Sequence, residues 1–154
     1  MRVTIAVVGK PKDRHLAAAI EAYETRASRY WTIDVVEVRE AGGRNVPPEQ
    51  VREREGERLA ERLPDGADVI VCDEAGDNLT SQQFAGLMTS ARDRAHDLAF
   101  VVGGAFGVAQ PLRARASRRI QLAPFTLPHE MARLVLVEQL YRAGTIARGE
   151  PYHK

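Results

Sequence analysis

At 154 residues the chain fits one domain with a full core, and its 44% hydrophobic and 28% charged residues are the balance of a soluble globular protein. It has no apolar run near the length of a membrane span, and its opening Met1–Val8 reads as a first strand rather than a signal peptide, because no small-residue cleavage site follows; its single cysteine, Cys72, excludes an intrachain disulfide and a thiolate metal cluster, and a cytoplasmic location fits. The net charge of +1 is unevenly placed: residues 1–108 hold 14 basic and 18 acidic side chains, while residues 109–154 hold 8 basic and 3 acidic.

Apolar period and turn residues then divide the chain in order. Residues 2–8 read as a strand. Residues 13–30 read as a helix with Leu16, Ile20, Tyr23 and Ala27 on one face, and Thr32 to Val38 as a second strand. Gly42-Gly43 and Pro47-Pro48 punctuate a loop from Ala41 to Pro48. A helix dense in Glu and Arg follows to about Leu63, then a Pro64-Asp65-Gly66 turn and a buried strand from Asp68 to Asp73. Thr80 to Ala95 is a helix opened by Thr80-Ser81-Gln82-Gln83, the pattern of a capping box. Leu98 to Val102 is a strand; after Gly107 a short helix leads to a last strand, Ile120 to Ala123. Pro128 in a first turn starts a final helix that runs to about Ala147. This alternation predicts an α/β fold over residues 1–154, a single domain with a mostly parallel sheet and helices on both faces.

The final helix carries Leu134-Val135-Leu136-Val137, apolar on every side for a full turn. A surface helix needs only one apolar stripe, so this one is buried on two sides. One is the sheet. The other is a second subunit, with Met131, Leu140 and Tyr141 extending the surface, or else burial within the same chain.

Familiar ligand signatures are missing. The first strand–helix turn, Val8-Gly9-Lys10-Pro11-Lys12, has one glycine and is no dinucleotide fingerprint; there is no Walker sequence, no HExxH, no metal-ligand spacing among the four histidines and no GxSxG. Cys72 follows an apolar run and reads as a packing residue. What remains is a set of strand ends. Asp73-Glu74-Ala75-Gly76 ends one strand, Gly103-Gly104 the next, and Ala123 to Pro128 follows the last. In an open α/β sheet ligands bind at that edge, and three such loops enclose space for an adenosine-sized molecule. Glycine there admits a ligand close to the backbone or simply makes a tight turn.

Two segments carry a specific resemblance. One is Phe100-Val101-Val102 followed by Gly103-Gly104-Ala105-Phe106-Gly107. The other is LPHEMARLVLVEQLYRAGTIARGEPYHK, from Leu127 to Lys154. Together they resemble the ribosomal RNA large subunit methyltransferase H family of the SPOUT class, with a departure at Ala105-Phe106, where that family often has proline and glutamate. The resemblance implies a C-terminal trefoil knot and an S-adenosyl-L-methionine pocket formed by Cys72 and Asp73, by Gly103 and Gly104, and by Leu122, Ala123, Pro124, Phe125, Thr126 and Leu127. It implies methyl transfer to N3 of a pseudouridine in helix 69 of 23S rRNA, on the assembled 70S ribosome. Partners would be that RNA and a second copy in a homodimer, with no membrane and no metal. The N3 proton must leave and negative charge must be stabilised, and His129, Arg142, Tyr152 and His153 are the catalytic candidates. Histidine as a residue type exchanges protons near neutral pH, so His129 or His153 suits the proton. Simpler roles stand beside these: His129 capping the final helix, Arg142 pairing with Glu138 four residues earlier. Arg113, Arg115, Arg118 and Arg119 either follow RNA phosphates or are solvated.

Overall fold

Valine- and isoleucine-rich runs become strands here and the Ala, Leu, Glu and Arg runs become helices, as the steric preferences of branched and unbranched side chains require. The structure is a computed structural model, and it describes residues 1–153. In chain order it contains β1 (Arg2–Val8), α1 (Arg14–Ala27), β2 (Thr32–Val38), α2 (Pro48–Ala60), β3 (Asp68–Asn78), α3 (Ser81–Asp93), β4 (Leu98–Val102), α4 (Gln110–Arg115), β5 (Arg118–Gln121) and α5 (His129–Ala147). Two helix starts, those of α1 and α3, are set by side chains. Asp13 Oδ1 accepts from the amides of His15 and Leu16 at 2.8 and 2.9 Å. The capping box forms: Gln83 N donates to Thr80 Oγ1 at 3.2 Å and Thr80 N to Gln83 Oε1 at 2.8 Å.

The sheet is parallel throughout, in the order β2-β1-β4-β3-β5. Crossovers β1 to β2 and β3 to β4 move one way along it and carry α1 and α3 on one face. Crossovers β2 to β3 and β4 to β5 move the other way and carry α2 and α4 on the opposite face. A single crossover hand demands this division. Two cores result. Val3, Ile5, Phe100, Met88, Leu136 and Leu140 lie under α1, α3 and α5; Ala6, Val71, Val101, Leu59 and Leu112 lie under α2 and α4.

Three expectations change. β3 does not end at Asp73. It resumes to Asn78 after an excursion, because Cys72 and Asp77 both lie opposite Ile120 of β5 and residues 73–76 bulge out between them. Gly76 makes this possible, since a Cβ there would lie 2.6 Å from the Ile120 backbone. β5 runs from Arg118 and stops at Gln121, short of Ala123. Leu140 does not extend an outward surface: it is fully buried in the chain's own core, and its carbonyl accepts from Trp31 Nε1 at 2.8 Å. Met131 and Val135 remain half-buried and belong to neither core.

α5 is also tied down by charge. Arg133, buried in its second turn, reaches Glu24 of α1 and Glu37 of β2, both at 2.8 Å. Among the described residues no helix is long and apolar enough to cross a membrane.

Candidate active site

β4, β3 and β5 lie side by side, so the segments leaving their carboxyl ends converge. Between them is a cavity of about 520 Å³, within the range of small-molecule sites. One wall is the bulge after Cys72, where Ala75 N donates to Asp73 Oδ1 at 2.9 Å and Gln121 Nε2 to the Glu74 carbonyl at 2.9 Å. A second wall is the loop after β4. Gly107 N donates to the Gly104 carbonyl at 3.1 Å, and Gly107 takes φ +79°, which a β-carbon resists. The third wall, Leu122 to Leu127, leads to His129 at the start of α5.

The glycine pair serves the loop itself. A Cβ on Gly103 would stand 2.6 Å from Gly107 C and O, and one on Gly104 would meet the carboxylate end of the buried Glu55. Backbone packing behind the wall thus demands the first glycine, a reason distinct from the ligand approach expected of the pair, while the second leaves room for Glu55.

The cavity holds both charge signs. Asp73, its side chain 1% exposed, lies with Oδ2 2.7 Å from Arg113 Nε. The N–H does not align with that oxygen, so the contact is coulombic rather than a formed hydrogen bond. Burial first, and then the Asp73 carboxylate, push the Cys72 thiol up to about 12. His129 lines the cavity with Nε2 buried and unpartnered among the described residues.

The other three catalytic candidates lie elsewhere in this chain. Arg142 is thirteen residues beyond His129 on α5, roughly 20 Å along the axis at 1.5 Å per residue. It pairs with Glu138 at 2.6 Å, which holds its guanidinium pKa above the ordinary arginine value, and it covers the Tyr152 ring at 4.8 Å. Tyr152 OH donates to Glu138 Oε1 at 3.1 Å and approaches Tyr23 OH at 3.4 Å, with the Tyr141 ring 4.6 Å away. Burial, then Tyr23 and Glu138, raise the Tyr152 phenol. His153 is half-buried, its Nδ1 unpartnered among the described residues. Lys154, the cation of the expected tail, lies outside the described residues.

The family described as "Predicted SPOUT methyltransferase" matches residues 1–153. The chain belongs to the SPOUT methyltransferase family. It is 55% identical to the ribosomal RNA large subunit methyltransferase H of Gemmatimonas aurantiaca, over the whole of both chains. It is 44% identical to the protein of that name from Anaeromyxobacter dehalogenans, again over the whole of both, and 42% to that from Geotalea daltonii, over 99% of each. In this SPOUT chain nine of the ten residues expected around a cofactor line the cavity; Pro124 is exposed and does not. Of the four clustered arginines only Arg113 reaches it, while Arg118 pairs with Asp77 at 3.1 Å and Arg115 and Arg119 are exposed. Glu74, from the expected strand-end segment, lines the cavity too, as does Arg52 of α2, which no spacing along the chain marks. Among the described residues no group of three or more His, Cys, Asp or Glu is placed to hold a metal.

Proposed function

We propose that this chain is a cytoplasmic, S-adenosylmethionine-dependent methyltransferase that modifies N3 of a pseudouridine in helix 69 of 23S rRNA, on the assembled 70S ribosome. It would act as a homodimer whose subunits carry a C-terminal trefoil knot. The observation that carries this reading is the three-walled cavity at the carboxyl edge, in a chain that matches the SPOUT family from end to end. Relatives that align over their full length are named ribosomal RNA large subunit methyltransferases, which supports the substrate class.

The cavity suits the cofactor. Val102, Val108, Leu122 and Leu127 supply apolar surface for a nucleoside, and Glu74 and Arg113 line the walls with one charge of each sign for a zwitterionic amino acid. The sequence carries no Walker or dinucleotide glycine motif for phosphate, and S-adenosylmethionine has no phosphate to hold. Backbone groups of 72–73, 103–104 and 122–127 would do most of the holding. When bound, the cofactor supplies an electrophilic methyl group on a sulfonium.

The protein must position the uracil edge, accept the N3 proton and stabilise the negative charge that develops. His129 and His153 each hold a buried ring nitrogen free to exchange a proton. Arg142, its charge secured by Glu138, suits the imide oxygens, and Tyr152 can stack or donate. Because α5 separates His129 from Arg142 by roughly 20 Å, one chain cannot bring all four to one base. A second copy that lays its C-terminal segment beside the cavity completes the set, which is the argument for the dimer.

The first test is transfer of labelled methyl to 70S ribosomes, 50S subunits and naked RNA from cells lacking the protein. Label in one helix 69 pseudouridine, with 70S only, is the expected result; absence of label and of cofactor binding defeats the proposal. Within it, His129→Ala and His153→Ala separate the proton acceptor. The variant that loses it falls about 10²-fold or more in kcat. Wild-type turnover in both sinks the histidine assignment.

A further inference from the structure

We propose that Phe106 and Phe125 form a two-sided stacking clamp for an unstacked RNA base at the mouth of the cavity. The inference rests on the ribosomal RNA reading above and adds the residues that grip the substrate. Single exposed apolar side chains are ordinary on a protein surface. Here the exposed large apolar residues are few: among the described residues they are Phe106 at 45%, Phe125 at 80% and Tyr152 at 37%. Tyr152 is engaged by Tyr141, Arg142 and Glu138. The two phenylalanines have no aromatic or cationic ring partner among the described residues, and both line the same cavity.

Their backbones are built to present them. Phe106 sits in the turn Gly104-Ala105-Phe106-Gly107, which is closed by the Gly107 to Gly104 hydrogen bond and an isolated bridge between the same residues. Phe125 stands between Pro124 and Pro128, whose rings restrict φ and the conformation of the residues before them. Both side chains stay exposed at the cavity, Phe106 on a closed turn and Phe125 in a loop bracketed by prolines. The turn follows β4 and the proline-bracketed loop follows β5, with β3 between, so their parent strands are roughly 10 Å apart at two sheet spacings. A planar base entering between them can place one face against each ring.

An enzyme that acts on a base edge must remove the base from its stack, and the lost stacking has to be replaced. Apolar rings do this without reading sequence, because every base has a π-face. The ligand class is therefore a nucleobase in a single-stranded or loop segment of RNA.

The test uses the intact protein with unmodified 70S ribosomes at saturating S-adenosylmethionine. Phe106→Ala and Phe125→Ala are each expected to raise KM for ribosomes about tenfold. Phe125→Leu, which keeps apolar area but no π-face, should lose nearly as much, whereas Phe125→Tyr should stay within about twofold of wild type. Cofactor Kd of Phe106→Ala by calorimetry, and the molecular mass of both alanine variants by light scattering, should not change. Unaltered KM in both alanine variants overturns the clamp, as does full recovery by leucine. A matching rise in cofactor Kd reassigns the rings to the cofactor, and a fall in mass reassigns them to a subunit contact; either also overturns it. If the wild type methylates no ribosomal RNA, the functional reading fails and the clamp with it, whereas an active wild type with indifferent variants defeats the clamp alone.

Discussion

Cys72 lies where a nucleophile would be tempting, at a cavity wall beside an acid. Its chemistry runs the other way. Only the thiolate is reactive, and burial followed by the neighbouring Asp73 carboxylate push this thiol from 9.0 up to about 12. At pH 8 the native protein should react with iodoacetamide about 10³-fold more slowly than the denatured chain, as labelling followed by mass spectrometry would register. Equal rates would mean that the thiolate is not suppressed. The same shift makes stability depend on alkali. Below pH 9 the thiol is protonated in both states and its contribution is intact; between 9 and about 12 the unfolded chain ionises first, so stability falls as pH rises. The sequence already pointed to a packing cysteine, since it follows an apolar run. The state of Asp73 was hidden, because its partner Arg113 is forty residues away, on a helix whose place on the opposite face is fixed only by the crossover rule.

Among the elements, α5 best separates local from tertiary effects. Gly144 lies inside it, where alanine would ordinarily gain up to about 1 kcal/mol from helix propensity. A Cβ there overlaps the Tyr30 ring, and the nearest atoms are Cγ at the root of the ring and Cβ at 2.6 Å, which cannot swing aside as a flexible chain end would. Overpacking of this kind costs about 1–3 kcal/mol, so the steric term wins. Gly144→Ala should therefore lower the denaturant midpoint without changing the m-value, and a midpoint at or above wild type would show that the turn carrying Tyr30, between α1 and β2, yields to α5 at no cost. Alternation, breakers and caps made the element order, the capping box and the parallel class legible along the chain, since each depends on neighbours within a few residues. The strand order, the excursion at 73–76 and the Arg133 ion pairs to Glu24 and Glu37 depend on contacts between residues far apart in sequence. Leu140 misled for that reason: an all-apolar turn announces burial on two sides but does not say which residue meets the sheet.

At the scale of the whole molecule, the split between His129 and the Arg142–Tyr152–His153 group has a consequence that no single-chain variant tests. In the proposed symmetric dimer each composite site would take its cavity from one subunit and its C-terminal group from the other. A His129→Ala subunit then keeps a working tail, and a subunit with Arg142→Ala and Tyr152→Ala keeps a working cavity. Each homodimer is inactive, but a heterodimer pairs one intact cavity with one intact tail. Mixing equal amounts, with exchange of subunits, should restore about a quarter of wild-type methyl transfer, because half of the dimers are mixed and each has one complete site. Strict co-purification through two different affinity tags should raise this to about half. The Glu138 pair complicates the design, since removing Arg142 leaves a half-buried carboxylate whose partner has gone. Arg142→Lys retains the charge but not the fork, so it tests whether loss reflects geometry at the site or instability of α5. No activity from any mixture, with mixed dimers verified by mass, would mean that each chain builds its site alone, and the roughly 20 Å along α5 would then have to be closed by movement of the C-terminal segment within one subunit.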